Sequence, residues 1–257
     1  MRNENIMRAI WTGAIGFGLV NIPVKIYSAV QSSSLDLDML DRKDKSNIKY
    51  KRVNEKTGKE VKWENIVKGY LLKDKYVILE DSDFEEASPD KNKMINLHSF
   101  VKMDEIDSIY FDTPYYLEPQ KGGTKAYQLL LKALEKSKTA GLGSFVMRNV
   151  EHLTIVKPYE NMLLLNKIRF EEEIRSADDL SLPGNTRLKK EEMDMALQLI
   201  KQHSQPFDIS KYKNEYTSEL LKIIKQKAKG KHTSIRKMKV ENTKSTDLLN
   251  KLKASLA

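Results

Sequence analysis

The chain has 257 residues, 32% of them charged and 40% hydrophobic, with a formal net charge of +9. That length can bury an ordinary core in one large domain, or in one domain with an appendage. The absence of cysteine excludes disulfides, thiolate nucleophiles and cysteine-based zinc sites.

Residues 211–257 carry 13 basic against 4 acidic side chains, whereas residues 1–210 hold 32 of each. The whole excess therefore lies in the C-terminal stretch. It points to a polyanion partner, nucleic acid ahead of a membrane, because the stretch has no Trp or Phe for interfacial anchoring. A merely solubilising tail is the alternative.

At the N-terminus, Arg2 and Arg8 precede the apolar run 9–20, but Asn3, Glu4 and Asn5 surround them and three glycines dilute the run, so no secretory signal is expected. No other stretch approaches ~18 consecutive apolar residues. The expectation is a cytoplasmic protein.

Residues 8–27, RAIWTGAIGFGLVNIPVKIY, combine strand formers with Gly13, Gly16 and Gly18 and contain no catalytic residue type. The pattern predicts a bent or bulged strand that another backbone approaches closely, with Pro23 marking an edge or a break. The spacing G-x-x-G-x-G is not that of a dinucleotide turn, and no Walker lysine follows.

Between residues 42 and 62, Arg42, Lys43, Lys45, Lys49, Lys51, Arg52, Lys56, Lys59 and Lys62 crowd around a predicted hairpin turning at Thr57-Gly58. Asp41, Asp44, Glu55 and Glu60 interrupt the cluster, so a salt-bridged exposed hairpin competes with a phosphate-binding one. Farther on, Ile95, Leu97, Val101 and Met103 alternate with polar residues as in a half-buried strand, and Ile109 to Phe111 continue it. Leu153 with Ile155, Leu163 with Leu165 and Ile168 with Phe170 supply later strands. Turns are predicted at Ser88-Pro89-Asp90, Thr113-Pro114 and Lys121-Gly122-Gly123. Many short strands suggest a barrel.

One helix interrupts the strands. Thr124 is its predicted cap, Ala126, Leu129, Leu130, Ala133 and Leu134 its core stripe, and a turn near Gly141 its end. After Pro183-Gly184 the periodicity turns helical, with Met193, Ala196, Leu197 and Ile200 on one stripe and Tyr216, Leu220 and Ile224 on a second, separated by Pro206. Lys222, Lys225 and Lys229 project from the second helix away from its apolar side. Beyond Gly230 the chain is polar until Leu248, Leu249 and Leu252, which predicts a mobile tail that orders on binding.

Catalytic constellations are missing. His98, His152, His203 and His232 are scattered, with no metal-ligand spacing, nucleophile elbow or Walker sequence. Asp36, Asp38 and Asp41 lack the glycine turn and glutamate of a calcium loop and read as a capped turn. Glu171 to Glu173 point in different directions and read as solvated. No enzyme activity, metal or cofactor is expected.

The opening segment, with TGKEV at 57–61, IVKGY at 66–70, YVIL at 76–79, FVKMDEIDSIYFDTPYYLEP at 100–119, KAYQLLLKALEKS at 125–137, RFEEEIRS at 169–176 and KYKNEY at 211–216, closely resembles the bacterial Ku family of DNA-end-binding proteins. Many relatives carry cysteines near the position of Asn54, and this chain departs from them. The resemblance implies a mainly β fold with helices (α+β): a β-barrel core that dimerises into a ring, threads double-stranded DNA ends without reading sequence, and recruits a multidomain ATP-dependent DNA ligase for non-homologous end joining. The expected organisation is a barrel core with one inserted helix over 1–185, a helical arm over 186–230 and a flexible basic tail over 231–257. Candidate DNA-binding residues are Arg42, Lys43, Lys49, Lys51, Arg52 and Lys59 in the core, and Lys222, Lys225, Lys229, Lys231, Arg236 and Lys237 beyond it. Leu248, Leu249 and Leu252 form a candidate partner-binding patch. The expected protein is a homodimer, cytoplasmic and nucleoid-associated, with no membrane partner. A generic basic-tailed barrel that binds single-stranded nucleic acid or RNA is the alternative; Tyr50, Trp63 and Tyr70 are its few stacking aromatics.

Overall fold

Alternating apolar residues close seven strands into a barrel in a computed structural model that describes residues 7–87, 93–184, 187–230 and 248–256. The wall runs β1 (Trp11–Phe17), β2 (Val20–Ser28), β6 (Phe111–Pro119), β9 (Met162–Ile168), β8 (Val150–Tyr159), β7 (Thr139–Met147) and β5 (Met94–Lys102), and then back to β1. Only the closing β1–β5 pair is parallel. The inward positions Ile15, Ile22, Val24, Ile26, Ile95, Tyr115, Leu117, Phe145, Val156, Leu163 and Leu165 form one buried core. Closure removes the exposed edges that an open sheet would carry.

The N-terminal glycine segment is a two-strand hairpin and not one bent strand. Gly18 takes φ +58° at the turn between β1 and β2, where a left-handed residue matches the twist of a tight hairpin. The expected close backbone approach is present at Gly13: a Cβ there would lie 2.0 Å from the Lys93 carbonyl oxygen. Pro23 does not break the strand but sits at the end of its ladder to β6. It lies inside β2 opposite Ala14, and its carbonyl accepts the Gln120 amide (2.8 Å) just where the ladder to β6 ends, so its missing N–H forgoes only the reciprocal bond at the end of that ladder.

Two further predicted turns lie inside strands. Thr113-Pro114 belongs to β6, where a register shift between Phe111 and Pro114 accommodates the proline. Gly141 belongs to β7. The preceding helix, α2 (Thr124–Ser137), already stops at Lys138, whose left-handed backbone (φ +57°) caps it. Thr124 is the first helical residue, with Gly123 at the cap position. The buried face of α2 is Tyr127, Leu130, Leu131 and Leu134, whereas the predicted Leu129 faces out. Tyr127 joins two strands: its hydroxyl donates to the Leu117 carbonyl (2.6 Å) and accepts the Leu163 amide (2.7 Å) where the β6–β9 ladder ends.

A second, smaller cluster covers the outside of the wall, where Ala140, Ile155 and Ile168 lie under Met103, Ile106, Tyr110 and Phe111. Ile109 is not in a strand. Ser108–Tyr110 is a 3-10 turn that Asp107 caps by accepting the Ile109 amide (3.0 Å).

The chain divides into two compact units, Met1–Ser32 with Asp38–Ser176, and Ser33–Leu37 with Ala177–Ala257. The second unit contains α3 (Lys190–His203), α4 (Glu215–Ala228) and α5 (Leu248–Leu256), with α5 packed along α3. Asn214 caps α4 by accepting the Thr217 amide, and donates its side-chain amide to the Ser33 hydroxyl. Within the stretch expected to be mobile, Leu248, Leu249, Leu252 and Leu256 fall on one stripe of a helix, which explains its order beside α3. No described residue of the three helices is buried.

Candidate nucleic-acid interface

The barrel wall is interrupted once at length. After β2 ends at Ser28, the chain makes an excursion over residues 29–93 and re-enters the wall at Met94. Strand directions put both roots at one end of the barrel, because β2 finishes and β5 starts there. The β7–β8 turn at Arg148-Asn149 lies at that same end, since β7 runs antiparallel to β5.

Within the excursion, two isolated bridges, Leu40↔Asn47 and Val53↔Glu60, close successive loops. The second turns at Thr57-Gly58 as the sequence predicts, with Gly58 at φ +65°. The polar residues between the cations are occupied by backbone amides. Asp41 accepts the Lys43 amide (2.7 Å), Asp44 accepts the Ser46 amide and hydroxyl (3.0 and 2.6 Å), and Asn54 accepts the amides of Lys56 and Thr57 (3.0 Å each). The Ser46 hydrogen bonds hold the Asp44 carboxyl below its usual range. This use of the aspartates leaves Arg42, Lys43, Lys49 and Lys59 exposed, with no ion-pair partner among the described residues. Lys51 is different: Glu60 binds it at 2.6 Å, and that hydrogen bond and charge raise its pKa. Arg52 lies over the Trp63 ring at 4.5 Å, so its cation has a stacking partner.

Beyond the loops, β3 (Lys68–Leu72) and β4 (Lys75–Leu79) pair as a two-stranded ribbon outside the barrel. Both faces are open: Tyr70 is 65% exposed, Leu71 55%, Tyr76 73% and Ile78 55%. The ribbon leads into α1 (Asp81–Ala87), where the Lys68 ammonium lies 4.2 Å over the Phe84 ring.

The other candidates belong to the second unit or are not described. Lys222, Lys225 and Lys229 are exposed on or just beyond α4, and Glu219 pairs with Lys222 at 2.5 Å. Lys231, Arg236 and Lys237 lie outside the described residues, as does the predicted turn at Ser88-Pro89-Asp90. Leu249 and Leu252 are half-buried on α5, and Leu248 is more open. Among the described residues no group of three or more His, Asp or Glu could hold a metal ion. Glu173 accepts the Phe170 amide (2.8 Å) and closes a 3-10 turn. No described helix is long and apolar enough to cross a membrane.

Sequence reading missed five basic residues with left-handed backbones, Lys45, Lys73, Lys93, Lys138 and Arg148. Such turns usually carry Gly or Asn, so the residue types gave no signal.

A closed barrel that carries an exposed excursion from one end, with a basic stretch at 42–62, defines the class, a β-barrel scaffold with an inserted arm. A family model described as the Ku70/Ku80 beta-barrel domain matches residues 16–195, and the chain belongs to the Ku family. It is 37% identical over 257 residues to the Non-homologous end joining protein Ku of Coxiella burnetii, covering 97% of this chain and 94% of that protein. It is 39% identical to the protein of the same name from Archaeoglobus fulgidus (97% and 98% covered) and 34% identical to that of Bacillus subtilis (97% and 82%).

Proposed function

We propose that this chain is a non-catalytic, sequence-independent binder of double-stranded DNA ends that acts as a ring-shaped homodimer in non-homologous end joining and recruits a multidomain ATP-dependent DNA ligase. The observation that carries the reading is the excursion: a long arm rooted at one barrel end, whose stretch 42–62 carries nine cations against three acids and whose ribbon exposes apolar side chains on both faces. A lone two-stranded ribbon is at best marginally stable in water, and exposed apolar surface of this kind marks an interface. A second copy, presenting the same arm, covers it and closes a ring. Family relatives named for end joining support the DNA half of the reading.

A ring needs no base-edge contacts. It gathers many phosphate contacts at once and requires an open end for entry. Arg42, Lys43, Lys49, Lys51, Arg52 and Lys59 supply the arm's contacts, and Lys222, Lys225, Lys229, Lys231, Arg236 and Lys237 an auxiliary grip. Leu248, Leu249 and Leu252 supply the ligase contact. The protein acts in the cytoplasm on nucleoid DNA.

The test is trapping. Protein is loaded on a linear duplex, both ends are then blocked with bound streptavidin, and salt is raised until a surface binder is stripped. A threaded ring stays on the blocked duplex and leaves an unblocked one; equal loss from both contradicts threading. One observation favours the single-strand reading: exposed Tyr50, Trp63 and Tyr70 are interleaved with cations on the arm. In that case an unlabelled single strand outcompetes duplex of equal length.

A further inference from the structure

Eight non-glycine residues among those described take positive φ. Asp74 and Asn149 tolerate that region, and Lys138 terminates a helix, where left-handed backbone is ordinary. Lys93 (φ +46°) has no such reason, and Arg148 (φ +56°) fills the first position of the two-residue β7–β8 hairpin turn, which requires a left-handed backbone but favours Gly or Asn over a long cation. Each holds a long side chain where Gly or Asn costs less, and conformations of this kind cluster at functional sites.

The two come together in the fold. Ile95 pairs with Phe145 in antiparallel register, and continuing that register by two residues sets Lys93 level with Met147, beside Arg148. Both backbones are fixed by β1: the Ala14 amide donates to the Lys93 carbonyl (3.0 Å), and the Trp11 indole N–H donates to the Val146 carbonyl (3.1 Å). Both side chains are exposed and have no acid partner among the described residues. At the same barrel end Asp112 faces Lys167 (3.4 Å) and Arg169 (3.8 Å), so that acid is already neutralised. The pair stands at the barrel end where the excursion is rooted.

We propose that Lys93 and Arg148 form a rigidly mounted phosphate-binding pair on the barrel end from which the excursion rises, and contact the backbone of the duplex. This rests on the DNA-binding reading above. Anchored backbones with two adjacent free cations make a preorganised contact to a polyanion, without base readout.

The test compares the full-length chain with Lys93→Gly, Arg148→Gly and the double variant, measuring affinity for a labelled linear duplex over a salt series together with thermal melting. Lys138→Gly is the control: the same left-handed backbone, exposed, at the other end of β7. Glycine suits positive φ, so each variant melts at or above the parent temperature. The slope of log K against log salt becomes shallower by about 0.9 for each single variant and about 1.8 for the double, and stays put in Lys138→Gly. An unchanged slope in the double variant, with the parent still preferring open ends, overturns this pair alone. A parent that does not prefer ends overturns the underlying reading as well.

Discussion

The barrel and the excursion use the same residue types in opposite ways. In the wall, Ile15, Ile22, Ile26 and Leu165 alternate with outward residues and are fully buried, and every strand has a paired neighbour on both sides. In the β3–β4 ribbon, Tyr70, Leu71, Tyr76 and Ile78 follow one another along two strands and stay more than half exposed. The barrel satisfies itself; the ribbon gains little from its own packing and leaves its apolar area exposed, the area that the proposed homodimer uses. Substitutions in the two regions therefore separate stability from binding.

The largest effect belongs to the barrel. Leu165→Ala deletes a fully buried side chain and costs about 2–5 kcal/mol in chemical denaturation, with DNA affinity of the folded fraction unchanged. In the ribbon the converse holds. Tyr76→Ala weakens self-association by about tenfold or more in sedimentation, as loss of an aromatic interface anchor does, while the barrel melts as before. A drop in barrel stability from Tyr76→Ala as large as that from Leu165→Ala would erase the distinction.

A smaller effect sharpens it through pH. His152 packs against Phe145 in the barrel, and burial, then the nearby Lys167 charge, lowers its pKa, with Asp112 and Glu173 opposing. The folded state therefore resists protonation. Stability is complete above the ordinary histidine value of about 6.5 and declines as pH falls through it toward the lowered folded value, because the unfolded chain takes the proton first. His152→Gln removes that part of the decline in a series of melts, whereas ribbon variants retain it.

The smallest effect is on the arm. Glu60→Gln frees Lys51 from an exposed ion pair, so melting does not move, but the salt dependence of DNA binding steepens by up to about 0.9 as one more cation reaches phosphate. Weaker binding in Glu60→Gln would show that the ion pair positions Lys51 and does not compete for it.

Much of the barrel was legible in the chain as apolar alternation, but not which side it buries: Ile95 and Leu97 face the interior, the register shift between Leu97 and Ser99 turns Val101 to the outer cluster, and Leu153, Ile155 and Ile168 lie there too while Leu163 and Leu165 face in. What escaped were positions where tertiary pairing overrides local signals. Pro23, Pro114 and Gly141 read as breaks, yet lie in strands at a ladder end, at a bulge and in a paired stretch. Leu129 fitted a helical stripe from which the real core is rotated toward Tyr127 and Leu131. The cationic loop was legible as composition, and its turn at Thr57-Gly58 as chemistry. Its free cations were not, because which acids are occupied depends on amide hydrogen bonds to Asp41 and Asp44 that only folding creates. Lys93 and Arg148, 55 positions apart, are set near one level only by continuing the β5–β7 register.

The most direct measurement is competition at near-physiological salt between a labelled linear duplex and unlabelled DNA of the same sequence, either linear or covalently closed. A ring threaded from an end predicts that the linear competitor displaces the label and the closed circle does not. Equal displacement by both, per base pair, would contradict the ring and leave a cationic surface that binds any duplex.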